Sequence, residues 1–267
     1  MEQLHIIKIG GNCIDDSHEL ELFLSNFAAI TGPKILIHGG GKMATQLATK
    51  LGTKQTMVDG RRITDAQTLD IAVMVYAGLI NKSIVAQLQA RNCNAIGFSG
   101  ADGNLIQSVK RPNQLIDFGF VGDILDDGIN IRLFETFLQN GIIPVVSPIT
   151  HDGNGQLLNT NADTIASKIA IALSLQYHVI LTYCFEKTGV LYALENEESY
   201  LPILTKEKFT QLKVEGIISK GMLTKLDNAF AAIEQGVTQV TICNAQHLSS
   251  IGSKQIIGTQ IINEWNS

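Results

Sequence analysis

The sequence lacks any cluster of cysteines or histidines at the spacing of a metal site or a disulfide framework. Its four cysteines are scattered and include no Cys-x-x-Cys pair; they are Cys13, Cys93, Cys184 and Cys243. This spacing is typical of reduced structural thiols in an intracellular protein, and not of a zinc domain or a secreted disulfide scaffold. We therefore expect a cytoplasmic protein with no metal held by the chain itself.

Basic runs and long apolar runs are also missing. The chain has 20 Lys and Arg against 25 Asp and Glu, a net charge of −5, which argues against a nucleic-acid or membrane-surface partner. No apolar run approaches the ~18 residues of a membrane span, and the N-terminus has no signal-peptide pattern. With 45% hydrophobic and 17% charged residues, the 267-residue chain is predicted to be globular, with one large α/β domain or two lobes.

What the sequence does have is glycine at two strand-to-helix crossings. Residues 35–37 are a short apolar run that predicts a buried strand, and the apolar residues after Met43 have helical spacing. Between them lie Gly39, Gly40 and Gly41, which let a ligand approach the main chain. Because the first turn of a helix has free N–H groups and a favourable dipole, we expect an anion to bind there.

Three interpretations of this glycine stretch compete. The spacing Gly39-x-Gly41-x-x-Ala44 fits the loose dinucleotide-binding pattern, with Asp59 near the position of the ribose-binding acid. The pattern of P-loop nucleotide enzymes fails, because Leu36 occupies its first glycine position and Met43 follows Lys42. The third interpretation is a tight turn without a ligand.

The same strand–glycine–helix pattern occurs at the N-terminus, where a strand over residues 4–9 precedes Gly10 and Gly11. Repetition of this unit is typical of a parallel sheet with crossover helices, which places both glycine loops at one edge of the sheet. The one domain boundary we predict lies near Ser174. It divides the chain into lobes of residues 1–174 and 175–267 that share one sheet.

Local signals predict several further elements. Asp16 and Thr64 are predicted to cap helices, the second of which is interrupted at Gly78. Hairpins are expected around Asp59-Gly60 and within residues 110–128, and residues 183–200 are predicted to be irregular or a hairpin.

Several polar residues are candidates for chemistry. Asn159, Asn161 and Asp163 alternate where a strand meets a helix, so their side chains point the same way, although helix capping needs one such residue. Lys225 lies beside the buried stripe of its helix, either in a site or as a surface lysine that extends to water. Lys8 ends an apolar strand before a glycine pair, where it either reaches a bound anion or faces solvent.

Motifs in order along nearly the whole chain resemble the N-acetylglutamate kinases of arginine biosynthesis, which belong to the amino-acid kinase family. The motifs are Lys8-x-Gly-Gly11, His38-Gly-Gly-Gly41, Asp59-Gly-Arg-Arg-Ile-Thr64, Phe120-Val-Gly122, Pro144-Val-Val-Ser147, Gly155-Gln-Leu-Leu-Asn-Thr-Asn-Ala-Asp163 and Gly216-Ile-Ile-Ser-Lys-Gly-Met-Leu-Thr-Lys225. The segments 155–163 and 216–225 are the most specific part.

The resemblance implies an open, mostly parallel sheet sandwiched between helices, with an N-terminal lobe for the acylated glutamate and the dimer interface and a C-terminal lobe for ATP with Mg²⁺. By this likeness, Lys8 and Lys225 neutralise the transferring phosphoryl group, and Asp163 holds them by charge pairing. The remaining implied residues form two groups. The residues implied to contact the substrate and the phosphoryl group are Gly11, Gly40, Gly41, Arg62 and Asn159, and Asn161 is implied to support them. The residues implied to contact the nucleotide are Gly10, Gly189, Ile217, Ile218 and Ser219.

The sequence departs from the family pattern at residues 181–189, where an expected Asp after the strand is missing. The chain also starts almost at its first strand, without the N-terminal helix of arginine-inhibited hexamers, so we expect a homodimer without arginine feedback. The predicted activity is phosphorylation of the γ-carboxylate of N-acetyl-L-glutamate. The alternatives are N-succinyl-L-glutamate or another family substrate, a catalytically silent regulatory homologue and, more distantly, a dinucleotide oxidoreductase.

Overall fold

The structure is a computed structural model that describes residues 1–58, 61–112, 115–193, 195–218, 220–251 and 257–263. The chain forms two compact units. The first unit comprises Met1–Lys34 and Ala166–Ser267, and the second comprises Ile35–Ile165. The boundaries of these units differ from those of the predicted lobes 1–174 and 175–267. The N-terminal strand pairs with a strand from the C-terminal part of the chain, so residues 1–34 belong to the same unit as the C-terminal part.

Strands and helices alternate along the chain. The strands are β1 (Gln3–Ile9), β2 (Lys34–His38), β3 (Met57–Val58), β4 (Arg61–Arg62), β5 (Ala95–Phe98), β6 (Ile106–Lys110), β7 (Gly122–Ile129), β8 (Ile143–Val146), β9 (Ile149–His151), β10 (Leu157–Asn159), β11 (His178–Phe185), β12 (Ile203–Thr205), β13 (Gln239–Asn244) and β14 (Thr259–Ile262). The α-helices are α1 (Asn12–Asp15), α2 (Ser17–Ala29), α3 (Gly41–Lys50), α4 (Ala66–Val73), α5 (Asn81–Gln89), α6 (Ile131–Gln139), α7 (Ala162–Leu173), α8 (Lys206–Val214) and α9 (Lys220–Glu234). A π-helix (Met74–Ile80) joins α4 to α5, and 3-10 turns occur at Asp102–Asn104, Glu197–Ser199 and Ala245–Ser250.

The first unit is built on strands in the order β12, β14, β13, β11, β1. Neighbours are parallel except β13 and β14. Strand β1 pairs with β11 along its full length, from Gln3 opposite His178 to Ile9 opposite Cys184. Both strands are almost continuously buried, which is the pattern of parallel strands that are covered on both faces.

The second unit contains the parallel strands β2, β8 and β5, in that order, with helices α5 and α6 packed against them. It also contains a separate four-stranded sheet, ordered β10, β9, β6, β7, and the short ribbon of β3 and β4. The predicted α/β class with mostly parallel strands flanked by helices is thus confirmed.

Two helix starts test the predicted caps. Asp16 caps α2 as predicted, since its carboxylate accepts hydrogen bonds from the N–H groups of His18 and Glu19. The predicted cap at Thr64 is wrong by one residue, because Asp65 accepts from the Thr68 N–H at 2.8 Å. Thr64 instead keeps extended pairing, with its N–H donating to the Phe118 carbonyl.

The helix predicted to be interrupted at Gly78 is continuous over Ala66–Gln89, because the π-helix accommodates the glycine. By length and composition, with a mean hydropathy of 1.5, it could cross a membrane. That is weak support for a membrane protein, since the core helices of soluble proteins meet the same criterion, and 44% of its most apolar window is buried inside the protein.

Two irregular regions have different outcomes. The hairpin predicted within residues 110–128 exists but begins earlier, because its first strand is β6 at Ile106–Lys110, which pairs antiparallel with β7. The prediction of irregular structure from Tyr183 is wrong at its start, because β11 continues to Phe185 where it pairs with β13. The Asp59-Gly60 turn lies outside the described residues.

Candidate functional site

The second unit contains a cavity of about 230 Å³ at the glycine-rich end of β2, which we call the Arg62 cavity. It brings together five of the residues predicted from sequence, namely Gly40, Gly41, Arg62, Asn159 and Asn161. Its other lining residues are Gly39, Met57, Tyr76, Arg111, Val121, Gly122, Asp123, Pro148, Thr160, Ala162 and Thr164.

The glycine loop of this cavity is shaped by close packing. Gly40 has a φ of 149°, and a Cβ built on it would lie 2.2 Å from Cδ1 of Ile80 in the π-helix. Gly40 is also the N-cap of α3, and as a glycine it has no side chain to accept hydrogen bonds from the first-turn N–H groups. These N–H groups therefore remain available to an anionic ligand in the cavity.

Two buried polar side chains hold the loop from beneath. The His38 imidazole hydrogen-bonds the Gly39 carbonyl through Nδ1 at 2.8 Å, and its Nε2 lies 3.1 Å from Nδ2 of Asn81. Asn81 Nδ2 also donates to the Val145 carbonyl. Asn81 follows the π-helix directly, so the same helix fixes both the packing of Gly40 and this network.

Arg62 reaches the cavity from β4 and is 9% exposed. Its guanidinium donates to Oε1 of Gln55, and at 2.8 Å to the Gly41 carbonyl and to Oγ1 of Thr45. All three acceptors are uncharged, so no carboxylate of the described chain balances this buried cation. Burial raises the pKa of the Tyr76 hydroxyl, and the neighbouring Arg62 opposes that shift. The buried Arg62 guanidinium is therefore suited to bind a carboxylate.

The alternating polar residues divide between the cavity and the start of α7. Asn159 donates from Nδ2 to Oγ1 of Thr64 at 3.1 Å, and Asn161 accepts from the Thr164 N–H at 3.0 Å, as a helix cap does. Asp163 lies in the first turn of α7 and is half-buried, but it lines neither cavity. Its proposed pairing with the lysines stays a prediction.

The first unit contains a second cavity, of about 340 Å³, which we call the Lys225 cavity. It brings together the predicted residues Lys8, Gly10, Gly11, Gly189, Ile217, Ile218 and Lys225. The other lining residues are Phe185, Glu186, Lys187, Val190, Leu191 and Met222. The predicted Ser219 lies outside the described residues.

Both predicted lysines are buried at this cavity. Lys8 is 9% exposed, and its Nζ lies 2.7 Å from the position that a Cβ on Gly10 would take. Lys225 is 6% exposed, with Nζ 5.1 Å from the ring centre of Tyr183 and 5.8 Å from that of Phe185. Tyr183 is the register partner of Lys8, so the pairing of β1 and β11 brings the two lysines to one cavity. The alternative of a surface lysine at position 225 is therefore wrong.

The comparisons with known proteins match this architecture. The sequence model of the Amino acid kinase family covers residues 3–244. The chain belongs to this family. A relative from Cytophaga hutchinsonii named acetylglutamate kinase is 50% identical over 264 residues, which cover 98% of this chain and 99% of the relative. The family resemblance predicted from the motifs is thereby confirmed, and the dinucleotide interpretation of residues 39–44 falls away.

Solved structures show the same fold. The N-acetylglutamate synthase from Neisseria gonorrhoeae, complexed with coenzyme A and N-acetyl-glutamate, has a TM-score of 0.81 at 21% identity; the match covers 98% of this chain and 59% of that one. The carbamate kinase from Giardia lamblia bound to AMP-PNP has a TM-score of 0.70 at 14% identity, with 98% and 99% covered.

Sequence reasoning missed three charged residues that line the two cavities. Glu186 lines the Lys225 cavity, and its carboxylate oxygen lies 3.2 Å from the position of a Cβ on Gly11. It occupies the region where the family's acidic residue was judged missing, and the apolar run through Phe185 could have revealed the longer strand. Arg111 and Asp123 line the Arg62 cavity. No local sequence pattern predicts their proximity, because Arg111 follows β6 and Asp123 lies on β7, the other strand of the hairpin.

No group of three or more His, Cys, Asp or Glu that could hold a metal occurs among the described residues. Mg²⁺ commonly binds through one or two carboxylates together with the phosphates of its nucleotide. The single carboxylate of Glu186 in the Lys225 cavity fits that arrangement.

Proposed function

We propose that this protein is a kinase that transfers the γ-phosphoryl group of ATP to the γ-carboxylate of N-acetyl-L-glutamate, in arginine biosynthesis. The observation that carries the proposal is the Arg62 cavity, where a buried guanidinium, whose acceptors in the described part of the chain are all uncharged, adjoins an open helix N-terminus. Relatives at about half identity over almost the whole chain carry the name acetylglutamate kinase, which supports the same substrate.

In this proposal, the Arg62 cavity binds the acylated glutamate. Arg62 binds the α-carboxylate, because a guanidinium can meet both of its oxygens. Asn159 binds the amide, with Asn161 supporting it from the start of α7. The backbone N–H groups of Gly40 and Gly41 face the carboxylate that receives the phosphoryl group.

The Lys225 cavity is proposed to bind ATP. Gly10, Gly189, Ile217 and Ile218 line the nucleotide, and Ser219 belongs to the same matched segment. Lys8, Lys225 and the N–H of Gly11 stabilise the negative charge of the transferring phosphoryl group, and Asp163 orients the lysines. When bound with ATP near Glu186, Mg²⁺ supplies further neutralisation of the phosphate charge.

The chemistry needs no general base. A γ-carboxylate has an unperturbed pKa of about 4.3, so it is already ionised at neutral pH and can act as the nucleophile. The barrier comes from bringing this anion to a polyanion. Buried cations and preorganised N–H groups lower such a barrier, which is what the two cavities offer.

The test is ADP release with MgATP and equal concentrations of N-acetylglutamate, N-succinylglutamate or glutamate. Turnover of an acylated glutamate but not of glutamate supports the proposal, and the preferred compound identifies the acyl group. The alternative is a silent regulatory homologue. It predicts that ATP raises the melting temperature while no ADP forms with any acceptor.

We also propose a cytoplasmic homodimer. The support is the helix Ala66–Gln89, which leaves Met74 and Leu79 more than half exposed, and strand β5, on which Ile96 is 40% exposed. A contiguous exposed apolar patch is typical of a protein interface, and we propose that these residues contribute to one. Light scattering after gel filtration tests the dimer, and replacing Leu79 with Lys is expected to shift the mass to that of a monomer.

A further inference from the structure

Arg111 is a second arginine of the Arg62 cavity, and its position is tightly determined. It follows β6, and its backbone N–H donates to the Val121 carbonyl at 2.7 Å. Its Nε lies 3.0 and 3.1 Å from the two carboxylate oxygens of Asp123, to which Nη2 also donates. The Phe118 ring lies 5.6 Å from its Cζ. The guanidinium is therefore held on one edge by a carboxylate and on one face by an aromatic ring.

One nitrogen of this guanidinium is not used by the described protein. Arg111 Nη1 is buried and has no hydrogen-bond partner in the part of the chain that the structure describes. A buried N–H without an acceptor carries its full desolvation penalty. An oxygen atom of a ligand in the cavity would supply the missing acceptor.

The charges around the two arginines differ, and this difference identifies the acceptor. Among the described residues, Arg62 donates to uncharged acceptors only, so its charge is available to a carboxylate. The charge of Arg111 is already balanced by Asp123. A second carboxylate beside Arg111 would therefore also meet the Asp123 charge, whereas a carbonyl oxygen gains the hydrogen bond without that repulsion.

From this geometry, which rests on the proposed function, we infer that Arg111 binds the acyl carbonyl oxygen of the substrate through Nη1 and so selects acylated glutamate over free glutamate. The acyl carbonyl is common to acetyl and succinyl compounds. Arg111 is thus a specificity residue, distinct from the carboxylate-binding Arg62.

The test is steady-state kinetics of Arg111→Met with N-acetylglutamate, N-succinylglutamate and ATP varied in turn. Loss of one charge-assisted hydrogen bond is expected to raise KM for both acylated substrates by about 10- to 100-fold. The KM for ATP and kcat should change by less than about twofold, since a uniform binding contact is removed. Arg132→Met, at an exposed arginine of α6, is the matched control and should leave all constants unchanged.

Two outcomes would overturn the inference. A KM that stays at the wild-type value for both acylated substrates overturns it, as does a loss confined to N-succinylglutamate, which would assign Arg111 to the terminal carboxylate. If Arg111→Met fails to fold, Arg111→Lys is used instead, because it keeps the positive charge but lacks the planar guanidinium group. The same KM criterion applies to it. Wild-type protein that turns over no acylated glutamate would instead contradict the proposed function.

Discussion

At the residue scale, burial alone does not separate candidate functional cations from structural ones. Lys34 is 4% exposed, yet its ammonium donates to the carbonyls of Phe27, Ala28 and Ile30 at the end of α2, so it has a structural role. Arg62 and Lys225 are buried to a similar degree but line cavities. A buried cation that faces a cavity is therefore the more specific sign of an anion site.

Replacing Lys225 with Met tests its role at the phosphoryl group. We expect kcat to fall by about 100-fold or more, because a preorganised positive charge is lost where the transition state is most negative. The KM for the acylated glutamate should change little. Lys213→Met is the control, since Lys213 also lies over an aromatic ring, 5.5 Å from the Phe209 centre, but outside the cavity. Equal kcat values in both variants would contradict this role.

At the scale of elements, the π-helix is the support of the Arg62 cavity. It places Ile80 and Tyr76 against Gly40, and it is followed directly by Asn81, which hydrogen-bonds with His38 beneath the loop. π-helical turns are rare in proteins and are frequently found at functional sites. Here the turn brings three side chains to one glycine loop.

Gly40→Ala is expected to inactivate the protein, because the new Cβ would lie 2.2 Å from Ile80 and the φ of 149° disfavours any side chain. Gly52→Ala is the matched control. Gly52 also has a positive φ, of 73°, but a Cβ there meets nothing within 4 Å. Kinetics and melting curves of both variants separate the effects: each should lower stability, and only Gly40→Ala should abolish turnover. Retained turnover in Gly40→Ala would show that the loop tolerates displacement.

The Asp65 cap predicts a pH-dependent contribution to stability. The hydrogen bonds that the Asp65 carboxylate accepts from Thr68 lower the pKa of this carboxyl below the ordinary value of 3.8. The ionised carboxylate therefore stabilises the folded protein at pH values above 3.8, and this stabilisation is lost as the pH falls through the folded-state pKa. Asp65→Ala should lower the free energy of unfolding at pH 7 by about 1 kcal/mol. Urea unfolding at pH 7 and pH 3.5 should show a smaller difference at the lower pH. Asp65→Asn keeps an acceptor without the titration, and its stability should not follow this pattern.

At the scale of the whole molecule, each unit carries its own cavity. Residues of the second unit alone line the Arg62 cavity, and residues of the first unit alone line the Lys225 cavity. Ligands of the two cavities should therefore stabilise the protein through different residues.

Arg62→Met is expected to remove the rise in melting temperature caused by N-acetylglutamate while the rise caused by MgATP stays. The physical reason is mass action, since each ligand stabilises the folded chain according to its own affinity. Thermal melts with each ligand alone measure this. Arg91→Met, at an arginine of neither cavity, should preserve both shifts. Loss of the MgATP shift in Arg62→Met would contradict the separate assignment of the cavities.

The sequence alone was sufficient for features that depend on local chain chemistry. Apolar periodicity determines the α/β class, glycine marks the two strand-to-helix loops, and Asp16 caps α2, because each depends on residues within one or two turns of chain. Local patterns also made Lys8, Asn159 and Lys225 candidates, and the family resemblance added Arg62; all four line cavities.

Only the tertiary structure decided the features that depend on contacts between distant segments. The pairing of β1 with β11 sets the boundaries of the units, and the pairing of β11 with β13 extends a strand to Phe185, directly before Glu186. The hairpin of β6 and β7 brings Arg111 to Asp123. Such pairings gain their free energy from burial and hydrogen bonds across tens of residues, so no local run of sequence encodes them.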